Sequence, residues 1–274
     1  MHFGLCYRLR MMELDEQKRT LEDRGIVKLE RLVPKAQVTM ARDLICDVAE
    51  KHGLFSAGSW RRSASRFSDA KPFRAAINAL NHADHFPDLI GEDVMQIARD
   101  LQGEAVAPLP PGQQILFTLP STVSWSVPND VWHIDIPRLG KLGAPGLQVF
   151  IFLDDVEPKG GGTLALSGSH LLLNGSRIMR SKELKRALGK EPYFQELFDR
   201  ERAPINRLEE TVGSVDRVNL EVVELTGASG DVYFMDLRTL HTPAPNSSNI
   251  ARLMITCRLP RAAIASVCLN PPEA

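Results

Sequence analysis

The sequence has no excess of charge of either sign, no Cys-x-x-Cys pair and no apolar run long enough to cross a bilayer. Lysine plus arginine number 33 against 34 aspartate plus glutamate in 274 residues. The strong positive field that dominates binding to nucleic acid or anionic membranes is therefore missing, and neither partner is expected. The four cysteines, Cys6, Cys46, Cys257 and Cys268, are scattered, and a chain of this length builds a core without disulfide staples. A reducing compartment is the expectation. No segment approaches the about 18 to 20 apolar residues of a transmembrane helix. The opening Met1-His2-Phe3-Gly4-Leu5-Cys6-Tyr7-Arg8 lacks the apolar stretch and cleavage site of a secretory leader, so a cytoplasmic location is expected. With 43% hydrophobic and 24% charged residues, disordered and fibrous chains are excluded.

What is present falls into two textures. In the first third, Glu13 to Asp23 is helix-prone, Gly25 breaks the helix, and Ile26-Val27-Lys28-Leu29 has strand character. Pro34 opens a helix to about His52, with Val38, Ala41, Leu44, Ile45 and Val48 at helical spacing. Residues 53–84 suggest a surface loop with a short helix, and Pro87 to Gln102 a further amphipathic helix. After Gly112 short β runs alternate with turn residues: Gln114 to Leu119, Gly146 to Leu153, Thr163 to Leu166, Val218 to Leu225, Val232 to Met235 and Arg252 to Leu259. That pattern belongs to a sandwich or barrel. One domain over 1–274 is expected, with a helical part at about 1–110 and a β core at about 111–260. The charged segment at about 171–217 carries ten Lys/Arg and eight Asp/Glu. It suggests a solvated insertion, placed to act as a lid over a pocket.

The chemistry concentrates in the β region. In an extended chain residues i and i+2 face the same way, so the imidazole and carboxylate of His133-Ile134-Asp135 can grip one metal ion. Alone such a triplet is common. Downstream, Gly230-Asp231 leads through Val232–Met235 to His241, and Arg252 opens the last strong strand 11 residues later. Two histidines and one carboxylate form the facial triad of non-haem Fe(II) oxygenases, which leaves coordination positions open. 2-Oxoglutarate can take two of them and O2 another, and the remote C5 carboxylate then needs a fixed cation. Arg252 suits that task, because a guanidinium pairs bidentately with carboxylate and stays charged.

Taken in order, His133-Ile134-Asp135, Gly161-Gly162-Thr163-Leu164, Ser167-Gly168-Ser169-His170, Gly230-Asp231, His241, Asn246, Ser248 and Arg252 resemble the motif series of the phytanoyl-CoA dioxygenase family over residues 105–260. The resemblance implies a mainly β double-stranded β-helix (jelly-roll, cupin-like) core with flanking α-helices packed on the larger sheet. It implies Fe(II) and 2-oxoglutarate, with His133, Asp135 and His241 as iron ligands, Arg252 on the C5 carboxylate, O2 as oxidant and ascorbate as reductant. Gln114 falls where related enzymes place a polar cofactor or substrate contact. A serine two residues after the distal histidine is replaced by Pro243, leaving the adjacent Thr242 as the hydroxyl for 2-oxoglutarate. Because the carboxylate of Asp135 is retained, no halide vacancy exists, and hydroxylation of a small organic molecule with release of succinate and CO2 is implied.

Two other functions fit the same residues: a jelly-roll metalloenzyme that does not use 2-oxoglutarate, and a non-catalytic relative that binds metal or ligand. Nothing in the sequence specifies an oligomer. Among the remaining features, His170 is expected to serve a structural hydrogen bond, and Asn81-His82-Ala83-Asp84-His85 a solvated helix end rather than a metal site. Gly160-Gly161-Gly162-Thr163 lacks the Lys-Ser/Thr of a phosphate loop and reads as a β turn. Trp125 and Trp132 either fill the core or line the pocket. Arg138 is either a surface arginine or a contact for an anionic substrate.

Overall fold

The computed structural model describes residues 2–64, 71–81, 86–174, 177–199, 201, 208 and 211–270, with the side chains of 2–11 and 81 left aside. In chain order the helices are α1 (His2–Arg24), α2 (Lys35–Lys51), α3 (Lys71–Asn81), α4 (Glu92–Gln102), α5 (Ser181–Leu188), α6 (Pro192–Phe198) and α7 (Ala265–Leu269). The strands are β1 (Ile26–Leu29), β2 (Phe55–Ser56), β3 (Ser59–Trp60), β4 (Gln114–Thr118), β5 (Arg138–Leu139), β6 (Gly146–Phe152), β7 (Leu164–Ser167) and β8 (Ile178–Met179). They continue with β9 (Gly213–Val215), β10 (Val218–Glu224), β11 (Val232–Asp236), β12 (His241–Thr242) and β13 (Arg252–Pro260). A five-stranded sheet, β1-β11-β6-β13-β4, faces a four-stranded sheet, β12-β7-β10-β9, and every pairing within them is antiparallel. This is the expected jelly-roll with flanking helices.

The two-residue period of the strands explains the layering. On β6, Leu147, Val149 and Ile151 pack outward with Leu253, Ile255 and Cys257 of β13 against Val38, Ala41 and Ile45 of α2 and Val94 and Ala98 of α4. The alternate residues Phe150, Phe152, Met235 and Met254 fill the space between the sheets with Ala165 of β7. Burying each such side chain contributes about 1.5–3 kcal/mol. Both faces of β6 are thus covered, as its continuous apolar run predicts.

Some expectations are corrected. The helix placed at Pro87–Gln102 begins at Glu92, with Gly91 as its N-cap. Residues 87–90 are held outside the helix by side-chain bonds: Gln113 accepts from the Leu89 N–H and donates to the Pro87 carbonyl, while Asp88 accepts from the Ile90 N–H. The stretch 53–84 contains the hairpin β2–β3 as well as α3; His82 and His85 lie outside the described residues. The charged segment after His170 is not simply solvated. Leu184 and Leu188 of α5 and Phe194 and Leu197 of α6 are buried with Trp125, Trp132, Leu164, Leu166, Leu220 and Val222. Its apolar stripe therefore covers the outer face of the smaller sheet, and only its opposite face is charged.

Arg138 is neither a surface arginine nor a pocket residue. Its side chain is buried and donates to the carbonyls of Ser169, His170 and Arg238 and to Asn174. Burial and the nearby Arg238 push its guanidinium down to about 10. His170 is buried as well, and its Nε2 meets the Glu22 carbonyl at 2.9 Å, tying the end of α1 to the turn after β7. Gly25 is required there. Its φ is +73°, and a Cβ would stand 2.5 Å from His170 Nδ1.

Candidate metal centre

His133 and His241 come together through the backbone. Each N–H donates to the other's carbonyl at 3.0 Å, so the two residues form one antiparallel hydrogen-bonded pair. Their rings consequently lie side by side, with centroids 4.3 Å apart. Asp135 follows two residues after His133 on the same side, its Oδ1 3.4 Å from His133 Nε2 and 3.8 Å from His241 Nε2. The three ligand atoms all lie within 4.8 Å of one another. The segment 133–135 has no continuous ladder beyond that bridge. Its conformation is fixed by Ser181 at the start of α5, whose hydroxyl accepts from the Ile134 N–H at 3.1 Å and donates to the Ile134 carbonyl at 3.0 Å.

The remaining atoms of these side chains are also committed. His133 Nδ1 lies 2.9 Å from the Val131 carbonyl and His241 Nδ1 lies 3.1 Å from that of Thr239. A ring nitrogen facing a carbonyl carries the proton, so both Nε2 atoms present lone pairs. Asp135 Oδ2 accepts from Gln148 Nε2 at 2.9 Å, leaving Oδ1 toward the imidazoles. Gln148 Nε2 also reaches the Thr256 hydroxyl at 3.2 Å, and Thr256 donates to the Val149 carbonyl at 2.8 Å.

Three lone-pair atoms so close repel unless a cation or a proton lies between them. Burial disfavours the charge on His133, but Asp135 and the Val131 carbonyl outweigh that and raise its pKa. Burial pushes His241 down to about 4, so it stays neutral. Burial also opposes the charge on Asp135, yet His133, His241 and Arg258 hold its carboxyl well below the ordinary range. Two neutral imidazoles and a carboxylate suit a divalent ion, and the donor set with one free carboxylate oxygen matches a 2-His-1-carboxylate face.

Arg252 faces the same space between the sheets. It stands on the inner side of β13 with Met254 and Thr256, opposite Thr118 of β4. Its guanidinium meets the Thr118 hydroxyl and the Met254 sulfur, its Nε has no partner, and no carboxylate pairs with it among the described residues. Burial lowers its pKa to about 10, which leaves it charged near neutrality. Glu224 acts on it only from beyond ion-pair distance, and a buried cation with no carboxylate in direct contact is costly, so this side chain fits a ligand carboxylate. Asn246 supports it from the preceding turn, donating to the carbonyls of Thr118 and Ile250 while accepting from the N–H and hydroxyl of Ser248. Gly161 lets that asparagine approach: its φ is +82°, and a Cβ would stand 2.8 Å from Asn246 Cβ.

Of the other candidates, Gln114 sits on the inner face of β4 opposite Thr256, where it accepts from Arg258 at 3.2 Å. Thr242 is not brought to the centre. It pairs with Leu164, whose side chain belongs to the outer cluster, whereas His241 pairs with the inward Ala165. The same period that points His241 inward turns Thr242 away, and its hydroxyl reaches only the Pro243 carbonyl at 3.4 Å. Trp132 is both core and wall: its indole N–H donates to the Pro128 carbonyl, and it borders a cleft with His133. That cleft, about 800 Å³, opens beside the triad between Val131, Trp132 and Pro243 on one side and Ser181, Lys182, Lys185 and Arg186 of α5 on the other.

Sequence inspection overlooked Gln148 and Ser181. A signal for Gln148 existed, since a glutamine inside the run Gly-Leu-Gln-Val-Phe-Ile-Phe-Leu must find a polar partner once buried.

Fold and donor set together place the protein among the non-haem iron, 2-oxoglutarate-dependent enzymes of jelly-roll architecture. Within that class the chain belongs to the phytanoyl-CoA dioxygenase (PhyH) family, whose sequence profile matches residues 21–254. Among solved structures it is similar to the non-haem alpha-ketoglutarate-dependent carbocyclase SnoK of nogalamycin biosynthesis, at 21% identity and TM-score 0.57 over 90% of this chain and 83% of that one. It is also similar to AviO1 from Streptomyces viridochromogenes Tue57, at 18% identity and TM-score 0.52 over 95% and 97% of the chains. A third is the epimerase SnoN in complex with Fe3+, alpha-ketoglutarate and nogalamycin RO, at 15% identity and TM-score 0.53 over 96% and 93%. At these identities the likeness concerns the fold. No curated protein sequence matches the chain. Among the described residues no helix is long and apolar enough to cross a membrane.

Proposed function

We propose that the protein is an Fe(II)- and 2-oxoglutarate-dependent dioxygenase that hydroxylates a small organic molecule, with His133, Asp135 and His241 as the iron ligands. The observation that carries this is the convergence of three donors whose other polar atoms are already committed, together with a buried Arg252 on the same interior that no carboxylate contacts among the described residues. When bound, iron with 2-oxoglutarate and O2 supplies the oxidation, yielding succinate, CO2 and a hydroxylated product, with ascorbate as an auxiliary reductant.

The chain's own residues orient and enclose. The Val131 and Thr239 carbonyls hold both imidazoles with Nε2 forward, and Gln148 holds Asp135 to one free oxygen. Arg252, steadied by Thr118, would hold the C5 carboxylate of 2-oxoglutarate. Gln114 faces the same interior through Arg258 and is assigned to the polar lining of the co-substrate space. The whole chain acts as one domain, and α5 and α6 form the lid. Helix α5 is pinned to the triad segment through Ser181 and walls one side of the cleft beside it.

Succinate formation tests this function. With Fe(II), 2-oxoglutarate, O2 and ascorbate the protein is expected to release succinate slowly even without its substrate, and His133→Ala to abolish the release. A folded wild-type protein that binds iron and releases no succinate would favour a metalloprotein that does not use 2-oxoglutarate.

A further inference from the structure

The cleft beside the triad carries positive charge that the metal centre does not use. Lys182, Lys185 and Arg186 stand at i, i+3 and i+4 on α5 and share one face, which forms the wall of the cleft. The opposite stripe, Leu184 and Leu188, is buried in the outer cluster, so the helix is fixed in rotation and the cations cannot turn away. None of the three pairs with a carboxylate among the described residues. Lys185 Nζ donates to the Asp130 carbonyl at 3.3 Å, and Glu183 commits its carboxylate to the Arg180 N–H at 3.1 Å.

This arrangement works against the helix itself. Like charges at i, i+3 and i+4 repel, and a lysine in the first turn opposes the positive end of the helix dipole. The chain as a whole carries a net charge of −1, so the basic face is a local concentration rather than a general property. Across the cleft the surface is apolar, formed by Val131 and Pro243 over the buried Trp132, with His133 between the two sides.

We propose that the substrate is an amphipathic small molecule whose anionic group, a phosphate- or carboxylate-type oxyanion, docks on Lys182, Lys185 and Arg186 while its apolar part lies along Val131 and Pro243. The direction of the reacting carbon toward His133 rests on the iron-centre function proposed above; the anion site stands without it. The three side chains are specificity-determining residues, and they take the task that the sequence offered to Arg138.

Calorimetric titration of the full, EDTA-treated chain at low ionic strength with pyrophosphate, and separately with citrate, tests the site. At least one of these anions is expected to bind, with affinity falling steeply as salt is added. The Lys182→Ala/Lys185→Ala/Arg186→Ala variant is expected to weaken it at least about tenfold, the scale of three partly exposed charge contacts. Lys51→Ala, an exposed charge on α2, should change nothing. Alanine favours helix, and Fe(II) binding by the triple variant reports separately on the metal centre. Single Lys185→Gln and Arg186→Gln variants, each expected to lose about twofold to threefold, give the same readout if the triple variant does not fold. Preference for pyrophosphate would identify a phosphate group, and preference for citrate a carboxylate. The proposal is overturned if neither anion binds the wild-type chain, if the variants bind as the wild type does, or if a single-stranded oligonucleotide binds through these residues while both small anions do not.

Discussion

The hydroxyl of Ser181 holds both backbone groups of Ile134, accepting from its N–H at 3.1 Å and donating to its carbonyl at 3.0 Å. Ile134 separates His133 from Asp135, so the first residue of α5 performs for the triad segment what a neighbouring strand performs elsewhere in a sheet. Helix α5 and the triad segment are thereby one mechanical unit.

Ser181→Ala removes both bonds and leaves two part-buried backbone groups unpaired, at a cost of about 1–3 kcal/mol. Stability by chemical denaturation and Fe(II) affinity are both expected to fall, and Ser181→Thr to restore them. A loss of stability with unchanged iron affinity would show that Ser181 anchors α5 without positioning the triad.

Gln148 fixes Asp135 by a single donated hydrogen bond. Gln148→Leu conserves shape but frees the carboxylate, and is expected to lower metal affinity about 10- to 100-fold, as loss of a supporting partner commonly does. Titration with Mn(II) or Co(II) measures this without turnover. Unchanged affinity would assign the orientation of Asp135 to the histidines alone.

These two residues also mark the limit of what the sequence disclosed. The β6 run, the α2 stripe and the pair His133 and Asp135 were legible because their signals are local: continuous apolarity, helical spacing and the two-residue period. Arg252 became legible through its distance from His241. Ser181 was not, because its partner lies 47 residues away and a serine at the start of a helix ordinarily serves only the helix. Arg138 was misjudged for a related reason. Arginine is usually exposed, and the carbonyls that bury this one come from residues 169, 170 and 238. Thr242 failed on orientation, since adjacency to His241 in a strand guarantees the opposite face.

Asp231, in the Gly-Asp motif, braces the fold rather than the site. Its carboxylate accepts from the N–H groups of Arg31 and Ala228, each at 2.9 Å, and pairs with Lys28 at 2.8 Å. Burial opposes its charge, but Lys28 and the two N–H groups outweigh that and hold the pKa below its ordinary value. Its contribution is therefore present above the unfolded-state value of about 3.9 and is lost as pH falls through the lower folded value. Asp231→Asn is expected to destabilise the protein by about 1–3 kcal/mol at pH 7, with the difference from wild type shrinking toward pH 3. Urea denaturation at both pH values checks this; a constant difference would deny the carboxylate's charge any part in it.

The unpaired guanidinium of Arg252 predicts opposite effects on stability and binding. Arg252→Met removes a buried cation that no carboxylate contacts directly, and the cofactor-free protein is expected to melt no lower than wild type. Its affinity for 2-oxoglutarate should collapse while iron binding persists, and Arg252→Lys should restore only part, because an ammonium cannot match the bidentate geometry. A large drop in melting temperature would assign Arg252 to the core instead.

The most direct measurement is anaerobic titration of the Fe(II)-loaded protein with 2-oxoglutarate, followed by the visible metal-to-ligand charge-transfer absorbance that chelation produces. A saturable band is predicted for the wild type, absent in His241→Ala and shifted to far higher 2-oxoglutarate concentration in Arg252→Met. A folded, iron-loaded wild-type protein that develops no band would contradict the assignment of His133, Asp135 and His241 as an open iron site with Arg252 behind it.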